Sequence, residues 1–271
     1  MRKIKEPRGI IKNRTINQKF TLNRRSPPAK LDYIIEHYWS IQWHLDNGEK
    51  VAQNVLSHPN IHITNENSFS RVHGVVTKRF ERIIEGSGYV LAIKFKPASF
   101  TYLTKLQISN LTNKTLPLLK VTNKKFYEIF HRPMDYSGEE ERFNEISNFL
   151  LSLKHEPNSI IQRLNAIVKK IEEDNSITNV SHLEKLMKMN IRGIQRIFKE
   201  YIGVSPKWVI NRYRLHEAMA KIESFKDDDI LTELTYELGY FDQAHFIKDF
   251  KNLIGRTPGE YRKEIQKMNL A

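Results

Sequence analysis

The stretch ELGYFDQAHFIKDFKNLIGRTPGEYR, residues 237–262, predicts a helix end, a tight turn and a second helix. Gly239 suits the left-handed backbone that ends many helices, and Asp242 is placed to cap the next helix by accepting backbone N–H groups. The buried stripe of that helix is predicted by apolar residues at helical spacing, Phe246, Phe250 and Leu253. Its outer face is then left to Gln243, Ala244, Ile247, Lys248 and Lys251, with His245 at the margin.

The same arrangement occurs a second time, 52 residues earlier in the chain. FKEYIGVSP begins at Phe198 and FKNLIGRTP begins at Phe250. In both copies a glycine follows the helix, and a Ser-Pro or Thr-Pro pair begins the next one, as expected for a helix end and a first helical turn. The predicted outer face of the first copy carries Arg192, Gly193, Gln195, Arg196 and Lys199.

Two helices joined by a tight turn, with a basic, amide-rich outer face on the second, are typical of a helix-turn-helix unit. Arginine can bind guanine through two hydrogen bonds, and glutamine can do the same to adenine. Two such units can reach successive major-groove segments about 34 Å apart. The alternative is a helical bundle whose outer faces are merely solvated, and the duplication argues against it.

The charge of the chain is strongly basic and unevenly distributed. The formal net charge is +13, and residues 1–30 carry ten Lys or Arg against one Glu. Such an excess suggests a polyanionic partner, most simply nucleic acid. The alternatives for this N-terminal arm are a solvated tail or strands packed on the domain that follows.

Several function classes are disfavoured by composition. The chain has no cysteine, which excludes disulfides, thiol catalysis and cysteine-ligated zinc. No apolar run approaches the roughly 18 residues of a membrane span, and the N-terminus lacks the apolar segment of a secretory signal. We therefore expect a cytoplasmic protein with no membrane partner.

The predicted secondary structure changes along the chain, from strand patterns to helical patterns. Trp39, Ile41 and Trp43 alternate with polar residues as in a half-buried strand, and further short strand patterns follow to about residue 121. Helical patterns dominate from residue 123. We expect an α+β fold of two domains, a mostly-β domain over 1–130 and an all-α domain over 159–271. A helical linker over 131–158 would act as connector or dimer seam.

Residues 160–265 resemble the DNA-binding domain of AraC-type (AraC/XylS) bacterial transcription regulators, and residues 237–262 nearly reproduce the signature of that family. The resemblance implies two helix-turn-helix units joined by a helix at 206–222. Three residues depart from the pattern: Glu184 and Thr235 replace small alanines, and Lys188 stands where glycine is common. The resemblance places the base-facing positions at Arg192, Gln195, Arg196, Gln243, Ala244, His245, Ile247 and Lys248.

Residues 7–118 resemble, more weakly, an N-terminal domain of one subgroup of these regulators, carried by HPNIHI and VHGVVTKRFERIIEGSGYVLAIKFKPASF among other pieces. That domain looks like a cupin-type β-barrel, which implies a sensor of a small-molecule effector. A barrel of this size can enclose a ligand cavity or be filled by side chains. The candidate lining of an effector pocket is aromatic: Trp39, Trp43, Phe80 and Phe95.

Metal binding and catalysis have little support in the sequence. His58, His62 and Glu66 recur at a spacing of four, which could place them on one face of a strand, but no His-x-His metal box accompanies them. The nucleophile motif Gly-x-Ser-x-Gly and a phosphate-binding glycine loop are absent. We expect no enzyme activity, no cofactor and no bound metal.

We therefore predict a sequence-specific DNA-binding transcription regulator. Its expected partners are a double-stranded operator, a small-molecule effector, RNA polymerase and a second copy of the chain. The alternatives are a ligand-independent regulator whose N-terminal domain only dimerises, and a metal-binding cupin with an accessory helical domain. Residues expected to contact DNA phosphates are Lys207, Arg212, Arg256, Arg262 and Lys263.

Overall fold

The structure is a computed structural model. It describes residues 9, 11, 19–67, 69–132, 138–153, 158–224 and 230–269. Most of the basic N-terminal arm, and parts of the predicted linker, therefore lie outside the described residues.

Within this part of the chain, every strand precedes residue 118. The strands are β1 (Phe20–Arg25), β2 (Ile35–His44), β3 (Lys50–Val55), β4 (His62–Glu66), β5 (Phe69–His73), β6 (Phe80–Glu85), β7 (Ser87–Phe95) and β8 (Thr115–Pro117). Four single turns of 3-10 helix lie between or beside them, at Ala29–Leu31, Ser99–Tyr102, Ile108–Asn110 and Leu118–Lys120.

The strands form two antiparallel sheets. The larger has the order β1-β2-β7-β4-β5-β8, and the smaller pairs β3 with β6. The mostly-β character predicted for this region is confirmed, and the strand pattern at Trp39, Ile41 and Trp43 corresponds to β2. Hydrogen bonding does not close these sheets into one barrel among the described strands, so the cupin-like description stays a prediction.

The two faces of the larger sheet pack against different layers. On one face, Trp43, Val90 and Ala92 pack with Val51 and Ile84 of the smaller sheet. The opposite face carries Tyr38, Leu91 and Ile93, which belong to a separate core. Alternation of side chains along each strand produces this division.

Nine helices follow β8 in the described residues. They are α1 (Lys124–His131), α2 (Glu139–Ser152), α3 (Ser159–Glu173), α4 (Val180–Met187), α5 (Ile191–Tyr201), α6 (Pro206–Ser224), α7 (Ile230–Glu237), α8 (Gln243–Ile254) and α9 (Pro258–Asn269). The predicted combination of a strand-rich first region and a helical second region is confirmed.

Helix α2 packs on the larger sheet. Its apolar residues Phe143, Ile146 and Leu150 are buried with Tyr38 in the core on that face of the sheet. The ring of Tyr38 stacks on Phe143 at 4.8 Å, and the Tyr38 hydroxyl lies 2.7 Å from the Ser147 hydroxyl. This apolar face cannot serve as the predicted dimer seam, because the chain's own sheet covers it.

Helices α3 to α9 form two apolar clusters, one for each helix-turn-helix region, whereas Phe126 and Phe130 of α1 belong to the core beneath α2. The first contains Ile194 and Phe198 of α5, and the second contains Phe246 and Phe250 of α8. Helix α6 contributes to both, with Val209 in the first and Met219 in the second. Thus α6 is the shared support of the two regions.

The strand-rich part of the chain contacts both clusters. Val75 and Ala98 are buried in the first, and Leu56 is buried in the second. After α5, the hydroxyl of Thr112 donates a hydrogen bond of 2.8 Å to the carbonyl of Gly203. These contacts place the helix-turn-helix regions directly against the loops of the sheets.

Gly203 has a structural requirement that can be tested. Its φ is +91°, and a Cβ there would lie 2.7 Å from Thr112 Oγ1 and 3.1 Å from the Ile108 carbonyl oxygen. We expect Gly203→Ala to lower the free energy of unfolding by about 2–3 kcal/mol, because backbone strain and a steric clash add together. Thermal unfolding followed by circular dichroism measures the change.

Gly48→Ala is the matched control. Gly48 has a similar φ of +84°, but no atom lies within 4 Å of its added Cβ. This variant should lose only the strain, about 1 kcal/mol. Equal losses in the two variants would show that the contact between Gly203 and the Thr112 region contributes nothing.

Candidate nucleic-acid interface

Both predicted recognition helices begin with the same side-chain cap. Asn190 Oδ1 accepts a hydrogen bond of 2.8 Å from the Gly193 N–H at the start of α5. Asp242 Oδ1 accepts one of 2.7 Å from the His245 N–H at the start of α8. The two caps are related by the 52-residue offset of the repeat, so the duplication extends to hydrogen bonding.

The inner faces of α5 and α8 are fixed by full burial of aromatic residues. Phe198 and Phe250 occupy equivalent positions, and neither side chain is measurably exposed. Ile194 and Phe246, one helical turn earlier, are buried in the same way. Burying an aromatic side chain is worth about 1.5–3 kcal/mol, so rotation of either helix about its axis would be costly.

This burial leaves the predicted base-facing positions on the surface. On α5, Arg192, Gln195 and Arg196 are exposed. On α8, Ile247 is half-buried and the others are exposed, namely Gln243, Ala244, His245 and Lys248. Their contact with bases stays a prediction, but the structure places each group of side chains on one outward face.

The electrostatic character of the two outer faces differs. On α5, Arg192, Arg196 and Lys199 are exposed, and the first acidic residue along that helix is Glu200 at its end. On α8, the imidazole of His245 lies 3.5 Å from the Asp249 carboxylate. The first face is therefore the more basic of the two.

Two of the five predicted phosphate contacts are wrong in this conformation. Arg212 is only 1% exposed, because its guanidinium lies over the Trp208 ring and donates to the carbonyls of Val76 and Thr77 at 3.4 and 3.3 Å. Burial lowers the pKa of Arg212 to about 10. Arg262 is also buried, with 4% of its surface exposed.

The other three phosphate predictions lie at the surface. Lys207 and Lys263 are exposed. Arg256 is half-buried and forms an ion pair with Glu264, so binding a phosphate there would compete with that carboxylate.

The turn of the first unit explains how it accommodates its departures from the family pattern. Glu184 accepts a hydrogen bond of 3.0 Å from the Ile191 N–H, which satisfies a free donor at the start of α5. Lys188 adopts left-handed backbone, with φ 41° and ψ 47°. In the second unit Gly239 has this conformation, one position earlier relative to the repeat. The backbone of the first turn is therefore strained at Lys188, and a glycine at this position would adopt the same conformation with less strain.

Replacing Lys188 by glycine should stabilise the protein. Lys188→Gly removes left-handed strain of about 1–2 kcal/mol and adds chain entropy to the unfolded state, for a net gain of roughly 0.5–1 kcal/mol. Lys185→Gly removes an equivalent charge from the last turn of α4 and should cost up to about 1 kcal/mol. Thermal unfolding midpoints that fall in both variants would contradict the assignment of strain to Lys188.

Sequence reasoning did not single out two exposed aromatic residues beside the second unit. Phe241, in the turn before α8, is 91% exposed, and Tyr236 on α7 is 65% exposed. Their position in the sequence was the available signal. Phe241 comes directly before the cap residue Asp242, and Tyr236 lies two residues before the buried Leu238, so neither belongs to the buried stripe.

The four aromatic residues predicted to line one effector pocket do not come together. Phe95 is fully buried in the core beneath α2, whereas Trp43 packs between the two sheets. Phe80 is 37% exposed on β6. Trp39 is half-buried and lies 6.1 Å from the His62 ring, measured between ring centroids. Only Trp39 and Trp43 share one face of the sheet.

The predicted histidine and glutamate set also separates. His62 and Glu66 lie on β4, but His58 precedes that strand and stacks on His216 of α6 at 4.0 Å. Among the described residues, no three His, Cys, Asp or Glu side chains are grouped so that they could hold a metal ion. His58 instead belongs to the contact between the sheets and α6.

A polar row crosses the face of the larger sheet on which Trp39 lies. His37 is the register partner of Lys94, Lys94 is the partner of His62, and His62 is the partner of His73. Cross-strand partners project from the same face, so these four side chains form one line over β2, β7, β4 and β5. Sequence analysis missed this line because it depends on strand order.

The protonation of this row is set mainly by burial. Desolvation, with smaller effects from Lys94 and Arg24, lowers the pKa of His37 to about 2. Burial lowers the pKa of His73 to about 4 and that of His62 well below its usual range. These imidazoles are therefore neutral at physiological pH.

The depressed pKa of His37 predicts a pH dependence of stability. Below about pH 6.5 the imidazole of His37 takes up a proton in the unfolded chain but stays neutral in the folded chain. The contribution of neutral His37 to the free energy of unfolding is therefore fully present above pH 6.5 and is lost as the pH falls. Between pH 6.5 and 5 the loss from His37 should be about 1–2 kcal/mol. His37→Gln should reduce the fall in unfolding midpoint over that range. His182→Gln, at an exposed position, should leave it unchanged; an unchanged slope in His37→Gln would refute the prediction.

Among the described residues, no helix has the length and apolarity needed to cross a membrane.

Comparison with known families places two matches on the chain. Residues 183–264 match the family described as a helix-turn-helix domain, which covers both units. Residues 23–117 match a family described as a domain of unknown function, DUF6597, which covers nearly all of the strands.

Similar curated proteins carry the name of transcriptional regulators. An uncharacterized HTH-type transcriptional regulator of Haemophilus influenzae is 30% identical over 105 residues, which span 38% of this chain and 35% of that protein. The HTH-type transcriptional regulator YtdP of Bacillus subtilis is 26% identical over 193 residues, 66% of this chain and 25% of the relative. The chain thus spans about a third or less of these relatives.

Among solved structures, ToxT of Vibrio cholerae is similar over most of its length. The similarity covers 92% of this chain and 99% of the ToxT chain, with 16% identity and a TM-score of 0.37.

Proposed function

We propose that this protein is a transcription regulator of the AraC type that binds duplex DNA by sequence, because residues 183–264 match the helix-turn-helix domain family. The observation that carries the proposal is the repeated unit in which aromatic burial fixes a helix and leaves basic and amide side chains outside. The exposed groups include Arg192, Gln195 and Arg196 on α5, and Gln243 and Lys248 on α8.

Each outer face would read one segment of the major groove. Arg196 and Lys248 lie at equivalent positions of the two units and supply the donors that favour guanine. The exposed amides of Gln195 and Gln243 suit adenine. Lys207, near the start of α6, and Lys263, in the middle of α9, would contact phosphates and so fix the position of the helices.

For the domain organisation we propose an N-terminal unit over 1–130, a connector over 131–158 and a DNA-binding unit over 159–271. The N-terminal unit would regulate DNA binding through a small-molecule effector. Support comes from its contacts with both helix-turn-helix regions, through Thr112 at Gly203 and through Leu56 in the second cluster. Homodimerisation and contact with RNA polymerase stay predictions.

The test begins with selection of preferred sites from a random pool of duplexes by the purified full chain. A specific regulator should enrich a defined sequence, and its affinity for that duplex should fall steeply with salt. Genomic footprinting in the native cell would then identify the genes beside such sites. Recovery of no preferred sequence would overturn the proposal.

Removing one predicted contact from each unit should abolish specific binding. The double variant Arg196→Ala with Lys248→Ala should lose about 100-fold to 1000-fold in affinity for the selected duplex, because each good base contact is worth about 1–3 kcal/mol. A fluorescence-anisotropy titration measures the affinity.

The control keeps the same change in charge at a distance from the recognition helices. Lys120→Ala with Lys124→Ala removes two exposed lysines around the start of α1 and should change affinity by less than about threefold. Equal losses in the two double variants would reduce the interaction to general charge attraction, and an unchanged affinity in the first would refute the assigned contacts.

A further inference from the structure

Phe241 is the most exposed large apolar side chain in the part of the chain that the structure describes, with 91% of its surface accessible. It lies in the turn between α7 and α8, directly before Asp242, whose carboxylate caps α8. Its other neighbour, Tyr240, is 4% exposed and belongs to the second apolar cluster. Packing within the chain therefore does not explain why an aromatic residue occupies the tip of this turn.

The first unit has a packed side chain at the same position. Met189 is related to Phe241 by the 52-residue offset and comes directly before Asn190, the cap of α5. Its side chain is half-buried against the first apolar cluster. It lies over Gly193, because a Cβ on that glycine would come within 2.9 Å of Met189 Cγ. The absence of a side chain on Gly193 thus provides the room for Met189.

The second unit lacks that room. His245 stands where the first unit has Gly193, and its imidazole lies edge-on to the Tyr240 ring with 5.4 Å between the centroids. A side chain at position 245 blocks residue 241 from folding back over the start of α8, as Met189 folds over the start of α5. Phe241 therefore extends into solvent.

The backbone that carries Phe241 is anchored from beneath. The guanidinium carbon of Arg214 lies 3.9 Å from the centroid of the Tyr240 ring, and the Phe246 ring lies 5.2 Å from it on α8. Nε of the same arginine donates a hydrogen bond to the carbonyl of Leu238. The exposed ring of Phe241 is thus mounted on a turn that several contacts hold in place, which favours a defined contact with a partner.

The position of Phe241 favours DNA as that partner. Gln243 is two residues away, so the two Cα atoms are separated by at most about 7 Å. The first residues of a recognition helix are those that contact base edges in the major groove. The apolar group that a base pair presents there is the 5-methyl group of thymine, and phenylalanine is one of the side chains that contact it.

The surroundings of Phe241 also fit DNA better than a protein surface. Asp242, Gln243 and His245 are all exposed and polar. Protein–DNA interfaces are more polar than protein–protein interfaces, whose centres are apolar and depleted of charge. A single apolar ring among polar groups therefore suits a base edge.

We propose that Phe241 contacts the 5-methyl group of a thymine in the major-groove segment that α8 reads, and so determines specificity at that base pair. The inference rests on the function proposed above. The first unit has no equivalent contact, since Met189 is packed over Gly193. The two units then differ in a base preference that neither Arg196 nor Lys248 supplies.

The experiment uses the full chain and the duplex selected from the random pool. Each thymine of the site is replaced in turn by uracil, which removes only the 5-methyl group. At one thymine the wild-type protein should bind about threefold to fivefold more weakly, as expected for one apolar carbon that is no longer buried. Phe241→Ala should bind the original duplex more weakly by at least the same factor, and uracil at that thymine should cause no further loss.

Phe69→Ala is the matched control. Phe69 is also well exposed, at 62%, but lies on β5 in the strand-rich part. This variant should keep both the wild-type affinity and the wild-type response to uracil. The thermal unfolding midpoint of Phe241→Ala should equal that of the wild type, because the ring belongs to no apolar cluster, and this separates a lost contact from a folding defect.

Four results would overturn the inference and leave the regulator intact, because the duplex is still bound. They are a selected site without thymine, a wild-type protein that tolerates uracil at every thymine, an unchanged uracil response in Phe241→Ala, and unchanged duplex affinity in that variant with reduced transcription from a promoter that carries the site. The last result would assign Phe241 to a protein partner. Recovery of no preferred duplex would instead reject the proposed function, and this inference with it.

Discussion

The buried phenylalanines of α5 and α8 constrain everything that this protein can present to a partner. Phe198 and Phe250 are each sealed in a separate apolar cluster, and each fixes the rotation of its helix about the helix axis. Because burial fixes the rotation of each helix, it also determines which side chains lie on the outer face. Basic and amide groups can therefore be held ready on rigid elements without being drawn into the core.

Helix α6 joins these two clusters and connects them to the sheets. A helix that supports two cores is buried around most of its circumference, which is why Arg212 finds its partners at the carbonyls of Val76 and Thr77. The first helix-turn-helix region, the second and the strand-rich part thus meet on one element. A change in the position of the loop at Val76 would therefore alter the hydrogen bonds of Arg212 on α6.

The local elements could be predicted from the sequence, because their causes are local. The cap at Asp242 and the stripe of Phe246 and Phe250 depend on neighbours within a few residues. The burial of Arg212 could not be predicted, because α6 lacks the one-sided apolar stripe from which exposure is usually inferred. The row at Lys94 was hidden for a different reason: His37, His62 and Lys94 become neighbours only through the order β2-β7-β4, which no short pattern specifies.

The glycines that end α5 and α8 have a mechanical consequence. Gly203 lies against Thr112, and a Cβ on Gly255 would lie 2.5 Å from the guanidinium of Arg79, so both helix ends abut loops of the strand-rich part. The loops that carry Thr112 and Arg79 therefore limit where the C-terminal ends of both recognition helices can lie, and the distance between those ends depends on the strand-rich part of the chain.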